Sequence, residues 1–151
     1  MAKDDRTNAQ IAVTSCFEVK VDNESLGYFS SCDGLGMEVV LEQREEGGCN
    51  GFVWQLPTRI KYPNIKLSRP VCADTSKIAS WFAKLLTGFE PTTAVISART
   101  LDDKPIAEWE LIGVVPVRWT GPSLSIDSPK VATESLELAH HGILPPAAGA
   151  Q

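Results

Sequence analysis

The chain has 151 residues, of which 43% are hydrophobic and 22% are charged, as is typical of a soluble globular protein. This length predicts a single domain with a sizeable core. The formal net charge of -5 argues against nucleic-acid binding through an electropositive face. No apolar run is long enough to span a bilayer, and residues 1–6 lack the apolar segment of a secretion signal.

Alternating apolar and polar side chains predict that most of the chain is β-structure. Residues 1–14 are predicted to be a flexible arm, 15–144 the folded domain, and 145–151 a flexible tail. The predicted strands are 17–22, 28–32, 37–44, 52–56, 65–69, 92–101, 106–119 and 131–140. A turn is expected at 22–27. Pro57 is expected to end its ladder, and Gly113 and Pro116 to bend the long strand.

One helix interrupts the strands. Asp74 or Thr75 is a suitable N-cap, and Gly88 is a suitable stop. Between them one apolar stripe recurs at helical spacing, and its members are Ile78, Trp81, Phe82 and Leu85. We interpret this stripe as core packing. The predicted fold is therefore mainly β, an antiparallel β-barrel or β-sandwich with one flanking α-helix.

The sequence offers few arrangements suited to catalysis or metal binding. The four cysteines, Cys16, Cys32, Cys49 and Cys72, lack C-x-x-C spacing, so reduced thiols are expected and no metal. The adjacent carboxylates Glu45 and Glu46 are interpreted as a solvated loop tip. His140 and His141 leave one alternative open, a hydrolase in which a histidine activates a cysteine.

A second alternative follows from the four tryptophans, Trp54, Trp81, Trp109 and Trp119. They sit mostly at predicted inward positions and are interpreted as core. The same residues would also suit a small-molecule-binding β-barrel.

A connection longer than a simple hairpin turn lies between the strands at 37–44 and 52–56. It is charged and contains Gly47, Gly48 and Gly51, which can adopt backbone angles closed to other residues. A two-residue turn would suffice to reverse the chain. The extra length indicates a loop that contacts another molecule.

Several segments together resemble a known family. In order they are 17–21, 26–38, 43–48, 56–67, 109–111, 116–119 and 134–142, reading FEVKV, LGYFSSCDGLGME, QREEGG, LPTRIKYPNIKL, WEL, PVRW and ESLELAHHG. They resemble the inner tube protein of contractile phage tails and of phage-tail-like extracellular contractile injection systems. The resemblance covers roughly residues 15–144, and the type VI secretion tube protein shares the implied fold.

The resemblance implies a structural subunit without enzymatic activity or cofactor, which forms hexameric rings stacked into a hollow tube. The implied partners are further copies, a contractile sheath, baseplate and spike proteins, and a protein cargo in the lumen, with nucleic acid only as lumen content in a phage. No membrane insertion is implied. We expect assembly in the cytoplasm and release in an extracellular particle. A type VI-like secreted tube protein that carries effectors is the nearest alternative.

Two sets of residues are the candidate sites of this subunit. The ring-stacking candidates are Arg44, Glu45, Glu46, Gly47, Gly48, Cys49 and Asn50. The lumen-facing candidates are Glu38, Glu42, Lys61 and Lys66.

Overall fold

A computed structural model describes residues 16–45, 51, 53–88, 90–127 and 130–144. The described residues form ten strands and one helix. They are β1 (Cys16–Val21), β2 (Glu24–Phe29), β3 (Ser31–Asp33), β4 (Glu38–Arg44), β5 (Trp54–Lys61), β6 (Ile65–Pro70), α1 (Thr75–Thr87), β7 (Thr92–Arg99), β8 (Pro105–Thr120), β9 (Thr133–Ala139) and β10 (Gly142–Leu144). The predicted flexible arm and tail, at 1–14 and 145–151, lie outside the described residues.

Eight of the strands form one antiparallel sheet. Its order is β2-β1-β7-β8-β9-β6-β3, and β10 pairs with β8 beside this path. The two ends of the path, β2 and β3, are consecutive in the chain and are joined by Ser30, whose N–H donates to the carbonyl oxygen of Ser68 at 2.9 Å. The sheet therefore curls back on itself around a single core. The predicted class, mainly antiparallel β with one helix, is confirmed.

Alternate side chains of the main sheet fill its interior. The fully buried ones include Val19, Phe29, Ile65, Leu67, Ile96, Leu111, Leu136 and Leu138. Helix α1 contributes Ile78 and Trp81 to this core, whereas Phe82 and Leu85 are only partly buried. The predicted stripe thus packs inward through half of its members. Asp74 holds the N-cap position but pairs with the Lys77 ammonium at 2.9 Å instead of bonding the helix backbone.

The long strand β8 pairs with two neighbouring strands along different parts of its length. It pairs with β7 through Val114 and with β9 from Val115 onward. Gly113 takes a φ of +61° at this bend, and a Cβ there would lie 2.5 Å from Nδ1 of His141. The predicted bend at Gly113 and Pro116 is confirmed.

Two local predictions were wrong. The turn predicted at 22–27 is confined to Asp22 and Asn23, whose φ angles of 49° and 66° make a tight reversal, so β2 begins at Glu24. Pro57 does not end its strand: β5 continues to Lys61, with a register irregularity between Val40 and Leu41 opposite the proline. A strand that borders no second neighbour tolerates the missing N–H. The short β10 was not predicted.

Candidate assembly interface

Strands β4 and β5 form a hairpin that stands apart from the main sheet. They pair only with each other among the described residues, in a separate two-stranded sheet. Apart from Val40, which is half-buried, every residue of the two strands is exposed. An isolated two-stranded hairpin is only marginally stable in water. Within the described part of the chain, the hairpin therefore lacks a third strand or a covering element.

The register of the hairpin sorts its side chains onto two faces, because directly opposed residues point the same way. Glu38 lies opposite Lys61, Val39 opposite Ile60 and Leu41 opposite Pro57. The apolar face, as we name it, consists of Val39, Leu41, Pro57 and Ile60, and the polar pair Gln43 and Gln55 lies at its far end. The charged face consists of Glu38, Glu42, Arg44, Arg59 and Lys61, together with Val40, Trp54 and Leu56.

The apolar face is only partly removed from water. Val39, Leu41 and Ile60 are each about half exposed. Burying a fully exposed side chain of this kind contributes about 1.5–3 kcal/mol, so burial of the remaining half contributes roughly half as much. No strand or helix of the described residues packs over this face. Among the described residues, therefore, nothing removes the exposed part of this face from water.

Three of the four lumen-facing candidates come together on the charged face, namely Glu38, Glu42 and Lys61. The fourth, Lys66, lies on β6 in the main sheet, opposite Glu137 and Asp33. Glu42 and Arg44 form an ion pair at 3.5 Å with both side chains exposed. Exposed pairs of this kind contribute little to stability.

The ring-stacking candidates occupy the far end of the hairpin. Arg44 is the last residue of β4, directly opposite Trp54, and Glu45 follows it as an exposed residue. The remaining candidates, Glu46, Gly47, Gly48, Cys49 and Asn50, lie outside the described residues. Their role in ring stacking stays a prediction.

A ring contact marks the base of the hairpin. Tyr62, directly after β5, lies 5.4 Å from His140 between ring centroids, at an interplanar angle of 53°. His140 is buried. Burial lowers the pKa of His140, and backbone groups of Gly142 and Pro63 offset part of that effect. Burial therefore disfavours the charged form of this ring, which packs at the junction of the hairpin and the main sheet.

The cysteines described by the structure are not placed as nucleophiles. Cys16, Cys32 and Cys72 are free thiols. Burial, aided by the Asp33 charge, raises the pKa of the Cys32 thiol to about 11, the reverse of activation. Within the described part of the chain, no three His, Cys, Asp or Glu side chains are grouped to hold a metal ion.

A buried ion pair at one end of the sheet was missed by the sequence analysis. Nε of Arg69 donates to Oε1 of Glu134 at 2.7 Å, and both side chains are almost fully buried. Glu134 also accepts bonds from the Thr75 hydroxyl at the start of α1 and from the indole N–H of Trp119, each at 3.0 Å. The guanidinium lies 4.3 Å above the ring of Phe29. This network joins β6, β8 and β9 to the helix.

The tryptophans are less buried than predicted. Trp81 is buried and Trp109 is half-buried, but Trp54 and Trp119 are exposed, so the interpretation as core is wrong for these two. Trp54 lies on the outlying hairpin, where strand alternation has no core to face. Trp119 lies where β8 reaches the end of the sheet, and its indole N–H is held by Glu134.

The described residues thus form a curled main sheet around one buried core, with a largely exposed two-stranded hairpin outside it. Residues 13–144 match the family of the T4-like virus tail tube protein gp19, and the chain belongs to this family. The protein is therefore a structural tube subunit. No curated protein sequence matches the chain.

Solved structures of similar fold include a chain of an extracellular contractile injection system. A chain of the PVC sheath-tube complex, an extracellular contractile injection system in its extended state, is 19% identical with a TM-score of 0.77, covering 95% of this chain and 97% of that one. A chain of the anti-feeding prophage cap is 23% identical with a TM-score of 0.72, at the same coverages. Hcp1 from Salmonella typhimurium is 11% identical with a TM-score of 0.54, covering 85% and 83%. No helix among the described residues is long and apolar enough to cross a membrane.

Proposed function

We propose that six copies of this chain close into a ring, that the rings stack into a hollow tube, and that the β4–β5 hairpins form its inner wall. The observation that carries this proposal is the isolation of the hairpin. Its two strands are exposed on both faces, and neither is paired to the main sheet. Exposed strand edges of this kind are a hazard in a monomer and a seam in an assembly.

The difference between the two faces of the hairpin determines which face points toward the lumen in the proposed tube. The apolar face turns outward and packs against the barrels of the ring, because only that packing removes Val39, Leu41 and Ile60 from water. The charged face turns toward the lumen, where its carboxylates and amino groups stay hydrated. Glu38, Glu42 and Lys61 then line the channel, whereas Lys66 lies on the barrel.

Stacking of rings is assigned to the far end of the hairpin. Arg44 and Glu45 lie there, followed by the glycine-rich segment at 46–51. Identical rings repeat one contact along the axis, and a heterologous contact of this kind continues into a filament. Charged groups suit a contact that must be specific and aligned.

The wider particle follows from the family and from the settings of similar folds. Those structures are a sheath-tube complex, a baseplate and a cap. We propose that a sheath, a baseplate with a spike, and a terminating cap contact this tube, and that the tube carries cargo in its lumen. Assembly takes place in the cytoplasm of the producing cell, and the finished particle acts outside it.

The apolar face provides the test. Leu41→Asp places a charge in the proposed wall contact, and the expected result is a folded monomer that forms neither rings nor tubes. The matched control is Leu101→Asp, at an exposed turn between β7 and β8 outside the hairpin. Both variants and the original chain are compared by circular dichroism, mass photometry and negative-stain microscopy, with a baseplate initiator present. Tubes formed normally by Leu41→Asp would contradict the proposed wall, and an original chain that stays monomeric would contradict the function itself.

A further inference from the structure

The hairpin joins the main sheet through two short connections. The leading connection, residues 34–37, runs from β3 to β4, and the trailing connection, residues 62–64, runs from β5 to β6. Neither β4 nor β5 pairs with another described strand. Within the described part of the chain, the direction in which the hairpin projects therefore depends on the contacts that these two connections make at its base.

The trailing connection is held on the main sheet by an aromatic side chain. Tyr62 is half-buried, and its ring centroid lies 5.4 Å from that of the buried His140, with an angle of 53° between the ring planes. Tilted aromatic pairs with centroids roughly 4.5–7 Å apart attract each other beyond the effect of their buried area. The same ring lies over Gly142, because a Cβ added there would be 3.7 Å from Cζ of Tyr62. Tyr62 is thus seated between the end of β9 and β10.

A hydrogen bond holds the trailing connection at a second point. Nδ2 of Asn64 donates to Oε1 of Glu137 on β9 at 3.0 Å. This bond is exposed, so water competes for both groups and its net contribution is modest. The half-buried ring of Tyr62 is therefore the stronger of the two anchors.

The leading connection is tied both to the core and to the trailing connection. Leu35 is partly buried and packs against the hydrophobic core. Gly34 has a φ of +95° and lies against the backbone of Asn64, where an added Cβ would collide with the carbonyl oxygen. Glycine alone suits this position, since other residues rarely adopt such a φ and no space remains for a side chain. The two connections are therefore packed against each other.

We propose that Tyr62 is a positioning residue, whose seat on His140 and Gly142 fixes the angle at which the hairpin leaves the main sheet. The contact between Gly34 and Asn64 holds the leading connection at the same angle. Hairpins fixed in this way meet their neighbours in one geometry around the ring. This inference rests on the proposed function and adds to it the residue that orients the wall strands.

Orientation before assembly matters because a ring closes only when every contact has the same geometry. A hairpin that swings about its base spends only a fraction of the time in the direction that permits assembly, and its apparent affinity falls by that fraction. Fixing the hairpin beforehand removes this ordering cost from each contact. The buried core of the described residues does not include Tyr62, so its seat acts on the hairpin more than on the main sheet.

The first test is Tyr62→Ala, with Tyr62→Phe as the variant that keeps the ring. The matched control is Tyr28→Ala, which removes the other tyrosine of the chain from an exposed position on β2. Residual dipolar couplings of the backbone amides in the unassembled chain report how the hairpin is oriented relative to the main sheet. A single alignment is expected to fit both regions in the original chain and in both control variants. In Tyr62→Ala the couplings of β4 and β5 are expected to shrink and to depart from that alignment.

Assembly is measured on the same variants by mass photometry, with a baseplate initiator present. Tyr62→Ala is expected to raise the protein concentration needed for ring formation at least about tenfold, as for a hairpin that is correctly oriented about one tenth of the time. Tyr62→Phe and Tyr28→Ala are expected to assemble like the original chain. Urea denaturation shows whether the main sheet stays folded in each variant.

A second variant acts on the other connection. Gly34→Ala forces the leading connection away from the Asn64 carbonyl and removes no side chain from the core. It is expected to change the alignment of the hairpin and to weaken ring formation in the same direction as Tyr62→Ala, which keeps the inference testable if Tyr62→Ala does not fold.

The outcomes separate this inference from the proposed function. An unchanged hairpin alignment in Tyr62→Ala, or rings formed at the original concentration, would overturn the positioning role and leave the tube intact. A Tyr62→Phe variant that behaves like Tyr62→Ala would assign the effect to the hydroxyl group and overturn the aromatic seat. Absence of rings from the original chain would overturn the proposed function, while the dipolar couplings would still show whether Tyr62 orients the hairpin.

Discussion

The main sheet and the hairpin show the same alternation of apolar and polar side chains, but the apolar residues are buried in the main sheet and exposed in the hairpin. In β6 the alternate residues Ile65 and Leu67 are fully buried. In β4 the alternate residues Val39 and Leu41 are 46% and 48% exposed. The pattern determines which side chains share a face. In β6 tertiary packing covers that face, whereas in β4 no described element covers it and the proposed ring would supply the cover.

The two regions also differ in how they use charge. The Arg69–Glu134 pair is sealed inside the barrel and bonded on several sides, whereas the Glu42–Arg44 pair on the hairpin stays in water. A buried ion pair holds the neighbouring elements together, because removal of one partner leaves the other charge buried where it cannot be solvated. An exposed pair imposes no comparable restraint on the hairpin. The contacts that stabilise the single chain therefore lie in the main sheet, and the proposed assembly contacts lie in the hairpin.

The largest effect is expected from Glu134→Ala. The change leaves the Arg69 guanidinium buried without its carboxylate and removes the acceptor of Thr75 and Trp119. Breaking a buried pair typically costs about 3–5 kcal/mol. The free energy of unfolding, measured by urea denaturation of the unassembled chain, is expected to fall by this amount.

The matched control replaces both partners. Arg69→Met with Glu134→Leu substitutes apolar groups of similar size, so the double variant is expected to regain most of the lost stability. A Glu134→Ala variant that loses less than about 1 kcal/mol would mean that the pair contributes far less than its burial implies.

A pair of identical substitutions compares the two regions directly. Leu67→Ala in the barrel is expected to lower the free energy of unfolding by about 2–5 kcal/mol, because it opens a cavity in a fully buried site. Leu41→Ala in the hairpin is expected to change it by no more than about 0.5 kcal/mol, because that site is already hydrated. Ring formation is expected to depend strongly on Leu41. Equal losses of stability would show that the hairpin belongs to the folding unit of the single chain.

Most of the secondary structure was predictable from the sequence. Alternation located the principal strands, and residues 78–85 revealed the helix, because these signals depend on local geometry. The bend of β8 was visible in Gly113 and Pro116. The proposed role of the hairpin came from the family resemblance, because the alternation of side chains in β4 has the same pattern as that in β6.

The remainder depended on contacts between distant residues. Arg69 and Glu134 lie 65 positions apart and look like ordinary charged residues of exposed strand faces. The available signal was that Arg69 lies two residues after Leu67 and Glu134 two residues before Leu136. Side chains two apart on a strand share a face, so each charged residue faces the core with its leucine. The exposure of Trp119 and of Ile126 could not be predicted from the sequence for a related reason. A local pattern does not report where the sheet ends.

The smallest expected effect concerns the junction between barrel and hairpin. Burial lowers the pKa of His140, which packs against Tyr62 at the hairpin base, so the unfolded chain takes up a proton at a higher pH than the folded chain does. The stability contribution of neutral His140 is complete above the unfolded pKa of about 6.5 and is lost as the pH falls from there through the folded pKa. One group of this kind changes the free energy of unfolding by at most about 1.4 kcal/mol per pH unit. Urea denaturation between pH 5 and pH 7.5 is expected to show this slope, with His140→Gln abolishing it and His141→Gln, at the exposed neighbour, leaving it in place. An unchanged slope in His140→Gln would assign the pH dependence to other groups and separate the histidine from the stability of the junction.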